Sequence, residues 1–139
     1  MSDRTNRWNA EGEPTIYLSG DGGLALIEAG RHPDDLGVSS RLFRVDLRLP
    51  RVLDIRRPAV RAALDLPEDP AWILDRGRTH AVATRLRGSG ACDALLVPAA
   101  GALDQLDRWN AVIFADDRDA VARWLSQPTP AGILVFDET

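Results

Sequence analysis

The sequence contains no lysine; all 17 of its basic residues are arginine. That absence excludes a Walker-type phosphate loop, which needs a lysine to reach the outer phosphates. It also excludes Schiff-base catalysis, which needs a lysine amine. A single cysteine, Cys92, excludes a disulfide framework and any multi-thiolate zinc site. Two histidines, His32 and His80, argue against a histidine-rich metal centre, so no metal is expected. No run reaches the ~18 apolar residues of a membrane span, and Met1–Asn6 carries no apolar signal core. A cytoplasmic protein without a membrane anchor is therefore expected. The 21 acidic residues outnumber the arginines and give a net charge of −4, which argues against direct nucleic-acid binding. The remaining chemistry handles anions with guanidinium groups. It does acid–base work with carboxylates, hydroxyls or one histidine.

The 139 residues suit one domain, and 45% apolar with 27% charged residues is ordinary globular composition. Residues 1–13 read as a polar arm or loop, with 1–6 as a polar N-terminal arm. Thr15–Leu18 is β-branched and aromatic, hence a short strand. The turn Ser19–Gly23 offers Asp21 as an N-cap for a short helix over Leu24–Ala29, closed by Gly30 and Pro33. After a loop at 33–40, Leu42–Leu49 alternates apolar and charged residues from Phe43 on, the period-2 mark of a half-buried strand. Val52–Ile55 is a further strand, and Pro58 suits the first turn of a helix through Leu64. Ala71–Asp75 reads as a helical turn, Thr79–Leu86 as a helix stopped by Gly88-Ser89-Gly90. Cys92–Val97 is a buried strand ended by Pro98, residues 99–108 a loop, and Ala111–Phe114 another buried strand. Residues 116–139 supply a C-terminal helix, Arg118–Leu125, capped from the run Asp116–Asp119, and a strand, Ile133–Phe136. This order gives an α+β fold, a single domain over 1–139 with a mixed or antiparallel sheet and short helices.

Two groups of residues could carry chemistry. The first is Arg7-Trp8-Asn9, then Gly12, then Tyr17 in a strand and Glu28 in the following helix. Glu28 reads either as a solvent-facing carboxylate or, because Leu24, Leu26 and Ile27 surround it, as a carboxylate with an arginine partner. Tyr17 reads as strand packing or as a site residue, and Trp8 as an anchor for the arm. The second group is Asp93–Ala100, a strand running into a proline and small residues, followed by Asn110. It reads as a plain buried strand or as a pocket wall. His80 reads as a surface histidine, and Trp124 with Leu125 as core.

Together these groups resemble the RES-domain family, the toxins of RES–Xre toxin–antitoxin systems. The matching residues are Arg7-Trp8-Asn9, Gly12, Pro14–Ser19 and Ala25–Glu28, then Asp93–Pro98 and Asn110–Phe114, in order and spacing. The resemblance implies a fold like that of ADP-ribosyltransferases and breakage of the nicotinamide–ribose bond of NAD. The acceptor would be water, phosphate or a protein. It implies catalytic roles for Glu28, Arg7 and Tyr17. Arg7 would hold the pyrophosphate or ribose, Tyr17 would pack on nicotinamide, and Glu28 would stabilise the cationic ribose. The NAD-binding surface would comprise Arg7, Trp8, Asn9, Tyr17, Ala99 and Asn110. An Xre-like antitoxin is the implied partner, the route to any nucleic-acid contact, with a homodimer possible. Two departures stand out: the family serine falls at Ala99, or at Ala100 if the alignment slips, and the glycine before the arginine is Asn6. A catalytically lapsed binding module is the alternative they suggest.

Overall fold

The computed structural model describes residues 6–21, 39–100, 103–105 and 107–135. In chain order these form β1 (Thr15–Ser19), β2 (Ser39–Arg44), β3 (Val52–Asp54), α1 (Pro58–Ala63) and a 3-10 turn (Pro70–Leu74). Then follow α2 (Arg76–Ser89), β4 (Ala94–Pro98), β5 (Trp109–Phe114), α3 (Arg118–Trp124) and β6 (Thr129–Val135). Four strands make a mixed sheet in the order β1-β5-β4-β3. β1 and β4 run antiparallel to β5, and the three-residue β3 runs parallel to β4. β2 and β6 pair separately as an antiparallel ribbon with a bulge at Leu42/Phe43. The chain thus has the α+β architecture its alternating elements imply.

The sheet is buried on both faces, and strand alternation sorts its side chains between them. One face carries Tyr17, Leu95, Val97, Val112 and Phe114, packed with Trp8, Trp72, Ile73, Val82 and Leu86 from the N-terminal turn, the 3-10 turn and α2. The opposite face carries Ile16, Leu18, Ala94, Leu96, Ala111 and Ile113, packed with Leu47, Leu49, Trp124 and Leu125. The Trp124–Leu125 pair is therefore half-buried packing, as its apolar character implies.

α2 and α3 start where aspartates satisfy their free amides, whereas α1 starts on Pro58 with no side-chain cap. Asp75 accepts from Gly77 and Arg78 at the start of α2, and Asp117 accepts from Ala120 at the start of α3. Gly90 ends α2 at φ 67°, the left-handed conformation for which glycine carries no Cβ penalty. With Asp75 as its cap, α2 begins three residues before, and ends three residues after, the expected Thr79–Leu86. All of that extension is arginine, glycine and serine, which hydrophobic periodicity does not register.

Other boundaries differ for physical reasons. The strand expected over Leu42–Leu49 is two pieces: β2 ends at Arg44, and Val45–Leu49 stays extended without a ladder. Its alternation is nevertheless real, because Val45, Leu47 and Leu49 turn inward while Asp46 and Arg48 are exposed. The segment is tied only by single links, such as Arg48 N–H to the Trp124 carbonyl at 2.8 Å. β4 runs Ala94–Pro98 rather than Cys92–Val97, and β5 starts at Trp109, which brings Asn110 into the strand. β6 begins at Thr129, four residues earlier than expected. The polar arm gives way at Asn6, where Asn6 and Asn9 bridge across a tight turn that buries Trp8 to 2% exposure. The expected helix over Leu24–Ala29, and Glu28 within it, lie outside the described residues.

Candidate functional site

The cavity forms on the α2 face of the sheet, near the C-terminal ends of β1 and β4. Register explains why distant residues meet there. Tyr17 pairs with Val112 across β1 and β5, and Asn110 pairs with both Ser19 and Val97. Side chains opposite one another share a face, so Tyr17, Val112, Asn110 and Val97 form one floor. Pro98 and Ala100 continue the wall beyond β4, and Asn6, Arg7, Trp8 and Arg76 complete the lining. The cavity holds about 430 Å³, within the ~300–1,000 Å³ common for small-molecule sites.

The first motif is built to hold Arg7 and Tyr17. The Trp8 backbone N–H donates to the Tyr17 hydroxyl at 3.1 Å. That hydroxyl in turn donates to Asn9 Oδ1 at 2.5 Å. The Asn9 amide donates to the Ala10 and Glu13 carbonyls. Gly12, at φ 83°, turns the chain between Asn9 and β1 in a conformation that an L side chain resists. Trp8 locks the turn from beneath through an edge-to-face contact with Trp72, ring centroids 5.8 Å apart. The Tyr17 hydroxyl is thus committed to holding the motif, and the ring is the part offered to the cavity. Burial pushes its pKa up to about 12, against the Trp8 N–H and the positive charges of Arg87 and Arg76, which lower it. The phenol stays neutral at physiological pH.

α2 and the 3-10 turn clamp the same motif from the other side. Arg7 Nη1 donates to the Ile73 carbonyl at 2.9 Å. The buried Thr79 hydroxyl donates to the Arg7 carbonyl. His80 Nε2 faces the Asn6 carbonyl, which can only accept, and donates to it at 2.5 Å. His80 is half-buried and structural, which corrects its reading as a surface histidine. Further along α2, Arg87 lies over the Phe114 ring at 4.7 Å and donates to the Pro14 carbonyl, Thr15 Oγ1 and Asp116.

Of the residues singled out from the sequence, Arg7, Trp8, Tyr17 and Asn110 line one cavity. Asn9 and Ala99 do not: both are fully exposed to none of the solvent and lie behind the lining. Asn9 is the support beneath Tyr17. Ala99 points into the core, and its neighbour Ala100 faces the cavity, so neither alternative for the family serine brings a hydroxyl to the wall. Glu28 lies outside the described residues. Sequence reasoning missed Arg76, Thr79 and His80 as parts of this site. One signal was available for Arg76. A cation in the first turn of a helix opposes the macrodipole, and α2 has no acidic residue there to offset it. Among the described residues no group of three or more metal-ligating side chains occurs, and no helix is long and apolar enough to cross a membrane.

The fold and site define an α+β domain with an arginine-bearing, aromatic-floored cavity between a mixed sheet and a helix. The sequence matches the family model described as RES domain over residues 2–137, nearly the whole chain, and the protein belongs to that family. The family is associated with toxins and with NAD-related enzymatic activity. No curated protein matches the sequence.

Proposed function

We propose that this protein is a RES-type toxin that binds NAD in the cavity and cleaves its nicotinamide–ribose bond. The observation that carries the reading is the convergence of Arg7, Tyr17 and Asn110 on one lining. Guanidinium groups suit the diphosphate through paired, charge-assisted hydrogen bonds. The Tyr17 ring, its hydroxyl already engaged, gives nicotinamide a flat partner whose π face attracts the cationic pyridinium. On cleavage the C1′–N bond breaks, its electron pair leaves with nicotinamide, and positive charge develops on the ribose. Glu28 is the carboxylate assigned to stabilise that charge, as a carboxylate does in glycoside cleavage. Water, phosphate or a protein side chain then takes the ADP-ribose. Residues that withdraw no proton from a thiol and hold no metal suffice for this chemistry. An Xre-like antitoxin is the proposed neutralising partner.

A second reading follows from Ala99 and Ala100. With no hydroxyl on that wall, the domain would bind NAD without turning it over. The test is nicotinamide release from NAD by the purified protein, with and without phosphate, alongside Glu28→Ala and Arg7→Ala. Release by the wild type that both variants lose supports the toxin. Binding of NAD with no release at high protein concentration supports the lapsed module, and neither binding nor release sinks both.

A further inference from the structure

Past Arg44 the chain continues as the extended segment 45–49, which lies beside residues 124–126 on the sheet face opposite the cavity. Its even-numbered residues turn their backbone groups toward that neighbour. Ser126 N–H donates to the Asp46 carbonyl at 3.0 Å, and Arg48 N–H to the Trp124 carbonyl at 2.8 Å. Asp46 N–H donates to Ser126 Oγ at 2.8 Å. In an extended chain the intervening residues point their groups the other way. The N–H and C=O of Val45, Leu47 and Leu49 therefore face the outer edge, where no described residue bonds to them. An edge of this kind is a template for a further strand. The bulge at Leu42/Phe43 and the proline at Pro50 bound it on either side. Within it Val45, Leu47 and Leu49 are half-buried, while Asp46 and Arg48 are exposed.

We propose that this edge pairs with the same edge of a second copy of the chain, antiparallel about a two-fold axis at Leu47. In that register Leu47 bonds to Leu47 of the second copy, and Val45 bonds to Leu49, so every open backbone group of the segment gains a partner. Side chains directly opposite one another share a face. Asp46 of each copy then meets Arg48 of the other on the solvent side. Val45-Asp46-Leu47-Arg48-Leu49 is therefore its own complement when reversed, in charge and in apolar alternation. A two-fold contact requires such self-complementarity, whereas the strand of an unrelated partner does not. Neighbouring registers lose it. An axis at Val45 runs the second strand into the bulge, and an axis at Leu49 sets Arg48 against Pro50. The paired surface is small, so the dimer is weak and depends on concentration.

Neither Asp46 nor Arg48 lines the cavity, so the pairing and the NAD reading stand or fall separately. The experiment is sedimentation equilibrium at low salt, over protein concentrations rising to the millimolar range. It compares wild type, Asp46→Arg and Arg48→Asp, each checked for an unchanged melting temperature. Both positions are exposed, so the fold should tolerate the changes. The wild type is expected to self-associate. Each variant alone sets like charges against each other on both sides of the axis and should associate at least about tenfold more weakly. An equimolar mixture of the two variants should recover wild-type strength, because one chain then brings only arginines to the contact and the other only aspartates. A wild type that stays monomeric throughout overturns the proposal. So does self-association that neither variant weakens, or that the mixture fails to restore. Weakening by Asp46→Arg but not by Arg48→Asp moves the axis to Val45 and overturns this register. A wild type that is monomeric alone, but whose binding to an antitoxin is lost in both variants, gives the edge to that protein's strand, and the second-copy assignment falls.

Discussion

The two walls of the cavity are held by different means. The wall from Asn6 to Tyr17 is a short polar turn stitched by hydrogen bonds, several of them through side chains that never reach the ligand space. The facing wall, the 3-10 turn and α2, is a continuous packed surface of Trp72, Ile73, Val82 and Leu86 that lends single hydrogen bonds to the turn. A turn of this kind cannot bury enough apolar area to hold itself, so its geometry depends on the helix. Arg7, Trp8 and Tyr17 sit on the first wall, and much of the stiffness that positions them comes from the second.

The largest break in this arrangement is expected at Trp8, the one residue of the turn that belongs to the core. Trp8→Ala removes a side chain 2% exposed and its contact with Trp72. The loss should be about 3–5 kcal/mol, the range for emptying a core aromatic site. Denaturant unfolding measures it. A loss below about 1 kcal/mol would mean that the turn docks without its anchor, and the dependence argued above would be wrong.

Hydrogen bonds between the walls should count for less. Thr79→Val keeps shape but strips the hydroxyl from the Arg7 carbonyl, at an expected cost of about 1–2 kcal/mol. Thr79→Ser should restore most of it. If the helix wall positions Arg7, Thr79→Val should also raise the KM for NAD more than it lowers kcat, and Thr79→Ser should reverse that. Tyr17→Phe makes the complementary cut inside the turn. It leaves Asn9 Oδ1 and the Trp8 N–H without their shared hydroxyl, again about 1–3 kcal/mol. The ring remains, so NAD affinity should fall far less than in Tyr17→Ala. Equal loss in both variants would give the hydroxyl a direct part in binding.

The same contrast decides what was legible in the sequence. The turn is written locally: Arg7-Trp8-Asn9, Gly12 and Tyr17 are close in the chain, and the spacing that marks them is the spacing that lets them bond. The strands that carry Tyr17 and Val112 were legible too, as Thr15–Leu18 and Ala111–Phe114, but the register that sets both side chains on one face was not. The helix wall was not legible as part of the site. Arg76, Thr79 and His80 lie about seventy residues beyond the turn they face, which Thr79 and His80 hold, and contacts across such separations leave no periodic trace. Asn9 and Ala99 were misplaced for a related reason. A motif marks residues that matter without saying whether they touch ligand or support the one that does. The extended segment Val45–Leu49 shows the same limit for the fold, since alternation reports burial and not ladder pairing.

The smallest expected effect isolates Tyr17 itself. It is the only tyrosine of the chain, so its phenolate absorbance can be followed without interference from others. An exposed tyrosine ionises near pH ~10, whereas burial here raises the pKa to about 12. Between those values the unfolded chain loses the proton and the folded chain keeps it. Stability should therefore be indifferent to this group below about pH 10 and decline as pH rises from 10 to 12. Asn9→Ala should not abolish the rise, because burial is its main cause, but it removes the acceptor that the neutral phenol donates to at 2.5 Å. The midpoint in Asn9→Ala should then sit below that of the wild type and above that of the unfolded protein. A wild-type midpoint near 10 would show that the ring is solvated and that the turn does not close over it, removing the rigid aromatic floor on which the cavity depends.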